Sequence, residues 1–244
     1  MRTLKAKMAD QILYLMGFWE QPDHVLGYLS APARSIMLVL TAMFLISLAV
    51  SAERMIRYSH ARRQTRRFVR ESNGAFLSRN EAEVRRSCSA AAQSHVAALV
   101  IAALKVFSAT RVNLGRRQAV ELAEWEMLRS KSAIYAELNR RLAILATIAS
   151  TAPFLGLLGT VFGILDSFRG VGMARATVIS MMAGTIAAAL ITTAAGIFVA
   201  VPTLWSYNLL SGRLELMNVE MEVTSRELTT YLVKIAEARR VQGL

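Results

Sequence analysis

The chain has 244 residues, of which 54% are hydrophobic, and its mean hydropathy is +0.37. A soluble chain this apolar would have too little polar surface to cover it, so the composition argues against a soluble protein. The net charge of +12 is typical of nucleic-acid-binding proteins, and also of membrane proteins with Lys- and Arg-rich cytoplasmic loops. The single cysteine excludes an intrachain disulfide.

Three runs without a charged residue are long enough to cross a membrane, which takes about 20 apolar residues. They cover 35–52, 142–165 and 176–212. The third run is too long for one span and too short for two with a turn. It therefore predicts one span that continues beyond the membrane as helix. We assign spanning helices to 35–52, 142–165 and 176–207.

The Ala-rich segment from 89 to 107 is a fourth candidate span. It contains Gln93, His95 and Lys105, and a charge at the centre of a bilayer costs roughly 2.5–3.5 kcal/mol. Spanning would also place the Arg-rich segments on either side of it on opposite faces of the membrane. We therefore predict that this segment is a buried helix in a soluble helical bundle.

The placement of the charges predicts the orientation in the membrane. The long loop 53–141 carries 18 Lys and Arg against 8 Asp and Glu, and such loops stay on the cytoplasmic side. The N-terminal segment 1–34 and the short loop 166–175 are then on the opposite side of the membrane, which is the periplasm in a bacterium with two membranes, and 208–244 is a cytoplasmic C-terminal helix. Four basic residues lie on the wrong side for this rule, but they are outnumbered: Arg2, Lys5, Lys7 and Arg34.

The segments outside the spans are predicted to be helical as well. Apolar residues recur at helical spacing in 121–141 and 213–240, and no strand-like alternation is present. We expect the helix that enters the second span to begin near Arg116 and to run unbroken through the membrane. Residues 8–29 are predicted to form an amphipathic helix at the outer interface. The fold class is therefore an all-α membrane protein with long helical extensions.

Small residues recur at helical spacing in the second and third spans. Gly159 and Gly163 form a GxxxG motif, and the third span has a small residue at every fourth position: Gly184, Ala188, Thr192, Gly196 and Ala200. Such stripes let membrane helices approach closely. Two adjacent spans with stripes suggest that the chain associates into an oligomer.

Three threonines lie in the middle of these two spans: Thr160, Thr192 and Thr193. A threonine in a membrane helix can bond to the carbonyl one turn back, or it can line a polar pore between helices. No Asp, Glu, Lys, Arg or His occurs inside the three spans, so these segments contain no titratable relay for protons.

The stretches TAPFLGLLGTVFGI and AAGIFVAVPTLWSYN closely resemble the ExbB/TolQ/MotA group of proton-channel proteins, and most nearly ExbB and TolQ. The order of spans and loops fits as well, whereas MotA-like proteins have four spans. The resemblance implies a homopentamer in the bacterial inner membrane whose second and third helices enclose a pore. It also implies an ExbD- or TolR-type partner, whose single span carries the titratable aspartate, and an energised TonB or TolA.

The resemblance also implies roles for individual residues. Thr160 and Thr193 match the two pore threonines, and we assign Thr192 and Ala188 to the same lining. The small residues and prolines of both spans are assigned to helix packing: Pro153, Gly156, Gly159, Gly163, Gly184, Gly196 and Pro202. Two positions depart from the family pattern, because Ala188 replaces the usual third-span glutamate and Phe162 replaces the usual tryptophan.

Two functions are compatible with the sequence. The first is a subunit of a proton-driven motor of the TonB or Tol type, and the second is a non-conducting scaffold that holds partner helices. The alanine at position 188 favours the scaffold. The sequence shows no nucleophile–base pair or metal-ligand cluster, so we expect no enzyme activity, cofactor or metal. Because the basic excess is mostly juxtamembrane, we expect contact with membrane lipids and not with nucleic acid.

Overall fold

The computed structural model describes residues 31–77, 84, 86, 88, 94–111, 113, 115–169 and 178–241. Within these ranges the regular structure consists of five helices: α1 (Ala31–Leu77), α2 (His95–Thr110), α3 (Arg116–Asn139), α4 (Leu142–Arg169) and α5 (Val178–Val241). All of the regular elements described are helical, which confirms the predicted all-α class. The predicted amphipathic helix at 8–29 and most of the predicted loop 166–175 lie outside the described residues.

Three stretches of helix are long and apolar enough to cross a membrane: Ala31–Arg70, Arg116–Phe168 and Gly184–Glu237. They contain the predicted spans apart from the first residues of the third. This finding supports a multi-pass membrane protein. The last stretch belongs to α5, which is one helix of 64 residues despite Pro202 in its interior. A span needs only about 20 residues, so α5 also supplies a long extension beyond the bilayer.

The helix that enters the second span begins at Arg116 as predicted, but the expectation of an unbroken helix was wrong in detail. Regular helix ends at Asn139 and resumes at Leu142. The interruption is small, because Arg140 keeps α-helical dihedral angles and its N–H donates to the Ala136 carbonyl at 3.0 Å. Arg141, the second residue of the turn, forms an ion pair with Glu53 of α1.

The described residues form two compact units. The membrane unit comprises 31–48, 146–169 and 178–204. In it α1 packs on α4 and α5 through an apolar cluster of six buried side chains: Ile36, Leu40, Ile148, Ala152, Val199 and Ala200. Large apolar side chains on its surface are left uncovered, such as Leu38 and Phe154 at 72% exposure. Lipid or further protein can cover such a surface, whereas water is unfavourable.

The bundle unit comprises 49–77, 94–145 and 205–241 together with residues 84, 86 and 88. Its core surrounds α2, whose Leu99, Val100 and Leu104 are at most 1% exposed. Phe68 of α1 and Leu228 of α5 belong to the same cluster. The helix has only 16 residues and lies below the length needed to span a bilayer. The described part of the fourth candidate span is therefore a buried bundle helix, as predicted.

A buried polar network joins three elements of the bundle unit. Ser94 caps α2 by accepting a bond from the Ala97 N–H at 3.2 Å, and its hydroxyl lies 2.8 Å from that of Thr65 on α1. The imidazole of His95 is 3.3 Å from the Thr65 hydroxyl through Nδ1 and 3.1 Å from a Glu220 carboxylate oxygen on α5 through Nε2. A carboxylate can only accept, so Nε2 carries the proton of the neutral ring.

This network is expected to make stability depend on pH. Burial lowers the pKa of His95 below its usual value of about 6.5, and the Glu220 carboxylate opposes that shift. As the pH falls through about 6.5, this histidine binds a proton in the unfolded chain before it does so in the folded protein. The free energy of unfolding therefore decreases. The thermal unfolding midpoint should fall more between about pH 7.5 and pH 5.5 in the parent than in His95→Gln. Equal slopes would contradict the assignment.

Candidate functional site

In the membrane unit, the backbones of α4 and α5 approach most closely at Gly156 and Gly196. A Cβ atom placed on Gly196 would lie 2.6 Å from the Ala152 carbonyl oxygen and 3.0 Å from the Gly156 Cα. A Cβ on Gly156 would lie 2.7 Å from the Thr192 carbonyl oxygen. These neighbours are backbone atoms and cannot rotate away. Only glycine therefore fits at either position without a shift of one helix.

The close contact continues along both helices. A Cβ on Gly159 would lie 2.4 Å from the Thr192 hydroxyl oxygen, and one on Gly163 would lie 2.5 Å from the Ala189 Cβ. We call the set Gly156, Gly159, Gly163, Thr192 and Gly196 the α4–α5 seam. Small residues at intervals of three and four on α4, and of four on α5, produce this contact because they fall on one helix face.

The threonine hydroxyls are bonded within the protomer. Thr160 donates to the Leu157 carbonyl of its own helix at 2.6 Å. The hydroxyl oxygen of Thr192 lies 2.7 Å from the Ala189 carbonyl oxygen and 3.2 Å from the Gly156 carbonyl oxygen. The hydroxyl has only one hydrogen, so it donates to one of these two carbonyls at a time. Thr193 reaches the same Gly156 carbonyl at 3.1 Å, across the two helices. Its single donor is thus used inside the protomer, while its oxygen can still accept a bond.

The four residues predicted to line a pore differ in their exposure within the protomer. Thr192 is fully buried, Thr160 is 8% exposed, and Thr193 is half-buried. Ala188 is 3% exposed and packs in a small cluster with Ala33 of α1, beside Met37. Thr192 and Thr193 both lie within hydrogen-bond distance of the Gly156 carbonyl, and Thr160 bonds within its own helix, whereas Ala188 lies against α1.

The remaining packing residues have less specific surroundings. Pro153 and Pro202 are half-buried inside α4 and α5, where each removes one backbone hydrogen bond from its helix. Gly184 is half-buried near the start of α5.

Sequence reasoning missed one polar pair between the same helices. The hydroxyls of Ser167 and Thr185 are 2.5 Å apart, and Ser167 also donates to the Gly163 carbonyl at 2.9 Å. Ser167 lies seven residues after Thr160, and Thr185 lies seven residues before Thr192. The sequence could have indicated this pair, because a spacing of seven residues places Ser167 on the same face of α4 as Thr160, and Thr185 on the same face of α5 as Thr192.

The chemistry open to this site is hydrogen bonding, not proton storage. Its polar groups are hydroxyls and backbone carbonyls, neither of which is ionised near neutral pH. The parts of the chain that the structure describes contain no group of three His, Cys, Asp or Glu side chains that could hold a metal ion. The hydroxyls and carbonyls of this site can orient water or another polar group by hydrogen bonding.

Comparison with known proteins identifies relatives of the region that contains this site. Residues 93–223 match the family model of the MotA/TolQ/ExbB proton channel family. A Tol-Pal system protein TolQ of Pseudomonas aeruginosa is 44% identical over 81 residues, which are 33% of this chain and 35% of that protein. A biopolymer transport protein ExbB of Neisseria gonorrhoeae is 34% identical over 120 residues, which are 48% of this chain and 54% of that protein.

A third relative is matched over more of its length. The biopolymer transport protein ExbB of Aquifex aeolicus is 39% identical over 104 residues, which are 43% of this chain and 70% of that protein. The first two alignments span about a third and a half of those relatives. The resemblance seen in the two motifs is confirmed, and the matched region contains the whole α4–α5 seam. This chain therefore belongs to the MotA/TolQ/ExbB proton channel family.

Proposed function

We propose that this chain is an ExbB- or TolQ-like subunit of a proton-driven motor complex in the bacterial inner membrane. It works with an ExbD- or TolR-type partner and uses the proton motive force to energise TonB- or TolA-dependent transport or envelope function. Family membership supports the channel class, and the names of the similar proteins support both systems. The observation that carries the proposal is the close contact of α4 and α5, where the hydroxyls of Thr160, Thr192 and Thr193 bond to backbone carbonyls of these two helices.

The proposal gives the partner a specific chemical task. Thr193 donates its proton to the Gly156 carbonyl and keeps an oxygen that can accept a hydrogen bond. A protonated aspartate on a partner helix is a suitable donor to such an oxygen. The neutral acid could then cross the apolar region, which a carboxylate would enter only at a high energetic cost. We therefore place Thr160 and Thr193 on the ion pathway, with the titrating acid on the partner.

The surface of the bundle unit supports a homo-oligomer, which we propose to be a pentamer. On α3, Trp125 is 66% exposed and Leu128 is 57% exposed. On α5, Val219 and Val223 are about half exposed and share one face of the helix. Apolar side chains grouped in this way are typical of surfaces that contact another protein. Copies of the same chain are the simplest occupants, because they also provide the additional helices that a pore requires.

The orientation follows from charge. We propose that the N-terminus is periplasmic and that the bundle unit and the C-terminus are cytoplasmic, because the arginines of α1 crowd just after its apolar part. In this orientation the basic surface faces the anionic lipids of the inner leaflet.

The alternative function is a scaffold that holds partner helices without conducting. One observation favours it, namely that the third-span position which usually holds a glutamate is Ala188, which is buried against Ala33. A proton route that depends on a carboxylate at this position cannot operate here. A route that depends only on the partner's aspartate and the threonines is unaffected.

Proton flux separates the two functions. We expect the internal pH of vesicles that contain this chain and its single-span partner to change when a proton gradient is applied. The rate of this change should be well above the rate in empty vesicles. The matched control is the same complex with the partner's membrane aspartate changed to asparagine, which should return the flux to background. Flux at background with an intact aspartate and a correctly assembled complex would favour the scaffold.

A further inference from the structure

A strongly basic cavity of about 230 Å³ lies between α1 and α5 in the bundle unit. Four arginines line it: Arg62, Arg63, Arg66 and Arg213. The single acid in the wall is Glu220, and the ring of Tyr58 forms part of the apolar side. The cavity is smaller than the roughly 300–1,000 Å³ of pockets for drug-sized ligands. Its size therefore suits a compact anion or the charged headgroup of a larger molecule.

The four arginines outnumber the one acid in the wall of this cavity. Among the described residues, the four guanidinium groups make no hydrogen bond or ion pair, whereas Arg141 and Arg226 pair with glutamates. The one acid in the wall, Glu220, accepts a hydrogen bond from the neutral His95 at 3.1 Å and keeps its negative charge, so the wall retains a net positive charge. Like charges one helical turn apart destabilise a helix, so an anion among these groups would relieve their repulsion.

A fifth arginine adds to the positive potential beside the cavity. Arg54 lies one turn before Tyr58 on α1 and is only 2% exposed. Its Nε and Nη1 atoms are buried without a hydrogen-bond partner among the described residues. Burying a guanidinium group with unsatisfied N–H groups is costly, and a nearby anion reduces that cost. The Tyr58 hydroxyl donates to the Leu138 carbonyl at 3.0 Å, and the Tyr58 side chain also forms a hydrogen bond with Arg54.

We propose that this cavity binds a phosphate-bearing anion, which is either free phosphate or the headgroup of an anionic phospholipid. Guanidinium groups donate two parallel bonds to phosphate oxygens, and arginines from both helices surround the space where the phosphate would lie. Arg213 is the first charged residue after the third apolar run, so a lipid headgroup at the membrane surface could reach this arginine. The site is separate from the α4–α5 seam, and its occupancy does not depend on proton conduction.

The test compares two double variants that lose the same charge. Arg62→Ala/Arg213→Ala removes one arginine from each wall of the cavity, whereas Arg67→Ala/Arg70→Ala removes two exposed arginines of α1 that do not line it. The first arm titrates inorganic phosphate into the purified full chain in neutral detergent at constant ionic strength. The second arm counts phosphatidylglycerol retained from mixed phosphatidylcholine and phosphatidylglycerol vesicles by native mass spectrometry.

We expect the cavity variant to bind roughly tenfold more weakly than the parent, which corresponds to about 1.4 kcal/mol. The control variant should bind as the parent does. A loss confined to the phosphate arm identifies a soluble anion, and a loss in the lipid arm identifies a headgroup; either result supports the site. Equal losses in the two variants, or no binding to the parent in either arm, would overturn the proposal.

Discussion

Gly196→Ala is expected to destabilise the membrane unit by about 1–3 kcal/mol, although the change adds only one methyl group. The new Cβ would meet the Ala152 carbonyl oxygen at 2.6 Å and the Gly156 Cα at 3.0 Å. Because both neighbours are backbone atoms, α4 and α5 must move apart, and the other contacts of the α4–α5 seam loosen with them. The thermal unfolding midpoint of the detergent-purified protein measures this loss, and native gel electrophoresis measures the loss of assembly.

The same helix provides a control with the opposite expected sign. Gly212 also lies inside α5, but a Cβ placed there would meet nothing within 4 Å. Gly212→Ala should raise stability by up to about 1 kcal/mol, because alanine favours the helical conformation more than glycine does. If Gly196→Ala were as stable as Gly212→Ala, the two helices would not be in contact as described.

Thr193→Val and Thr160→Val are expected to abolish proton-driven activity while the complex still assembles. Valine has nearly the shape of threonine, so the packing of α4 on α5 is retained, but the hydroxyl is lost. Thr193 loses its bond to the Gly156 carbonyl and the oxygen that we assign to the ion pathway. Proton flux with the partner present measures activity, and copurification of the partner measures assembly.

Thr203→Val is the matched control for these variants. Thr203 is a buried threonine of α5 in the same membrane unit, and its hydroxyl donates at 2.7 Å to the Val199 carbonyl, one turn back. Thr203→Val therefore loses a bond of the same kind as Thr160→Val does, but at a position that we do not place on the ion pathway. We expect nearly normal flux from Thr203→Val. Full flux from both Thr160→Val and Thr193→Val would refute their place on the ion pathway.

Much of the fold could be predicted because its determinants are local. Charge-free runs marked the segments that are long enough to span, and the polar groups of the 89–107 segment excluded it from lipid. The spacing of small residues drew attention to the helix faces that meet at Gly156 and Gly196. The break at Arg140 and Arg141 was missed, because both residues are compatible with helix and nothing in their identity marks a turn.

The basic cavity and the His95 network could not be predicted, because each joins residues that are far apart in the chain. His95 and Glu220 are 125 residues apart, and the arginines of the cavity come from both α1 and α5. Helical periodicity shows which face of a helix is apolar, but it does not show which helix covers that face. The burial of Ala188 against Ala33 is a pairing of the same kind.

The α4–α5 seam also restricts how this protein can evolve. Each single-base change that alters a glycine codon's meaning either stops translation or encodes a residue with a Cβ atom. At Gly156, Gly159, Gly163 and Gly196 that atom would force a neighbour to shift, so each amino-acid change there is expected to destabilise the contact of α4 with α5. On the exposed side of α1, by contrast, Leu38 is 72% exposed and can change to other aliphatic residues by single-base steps. Divergence should therefore accumulate on α1, while α4 and α5 change only as a pair.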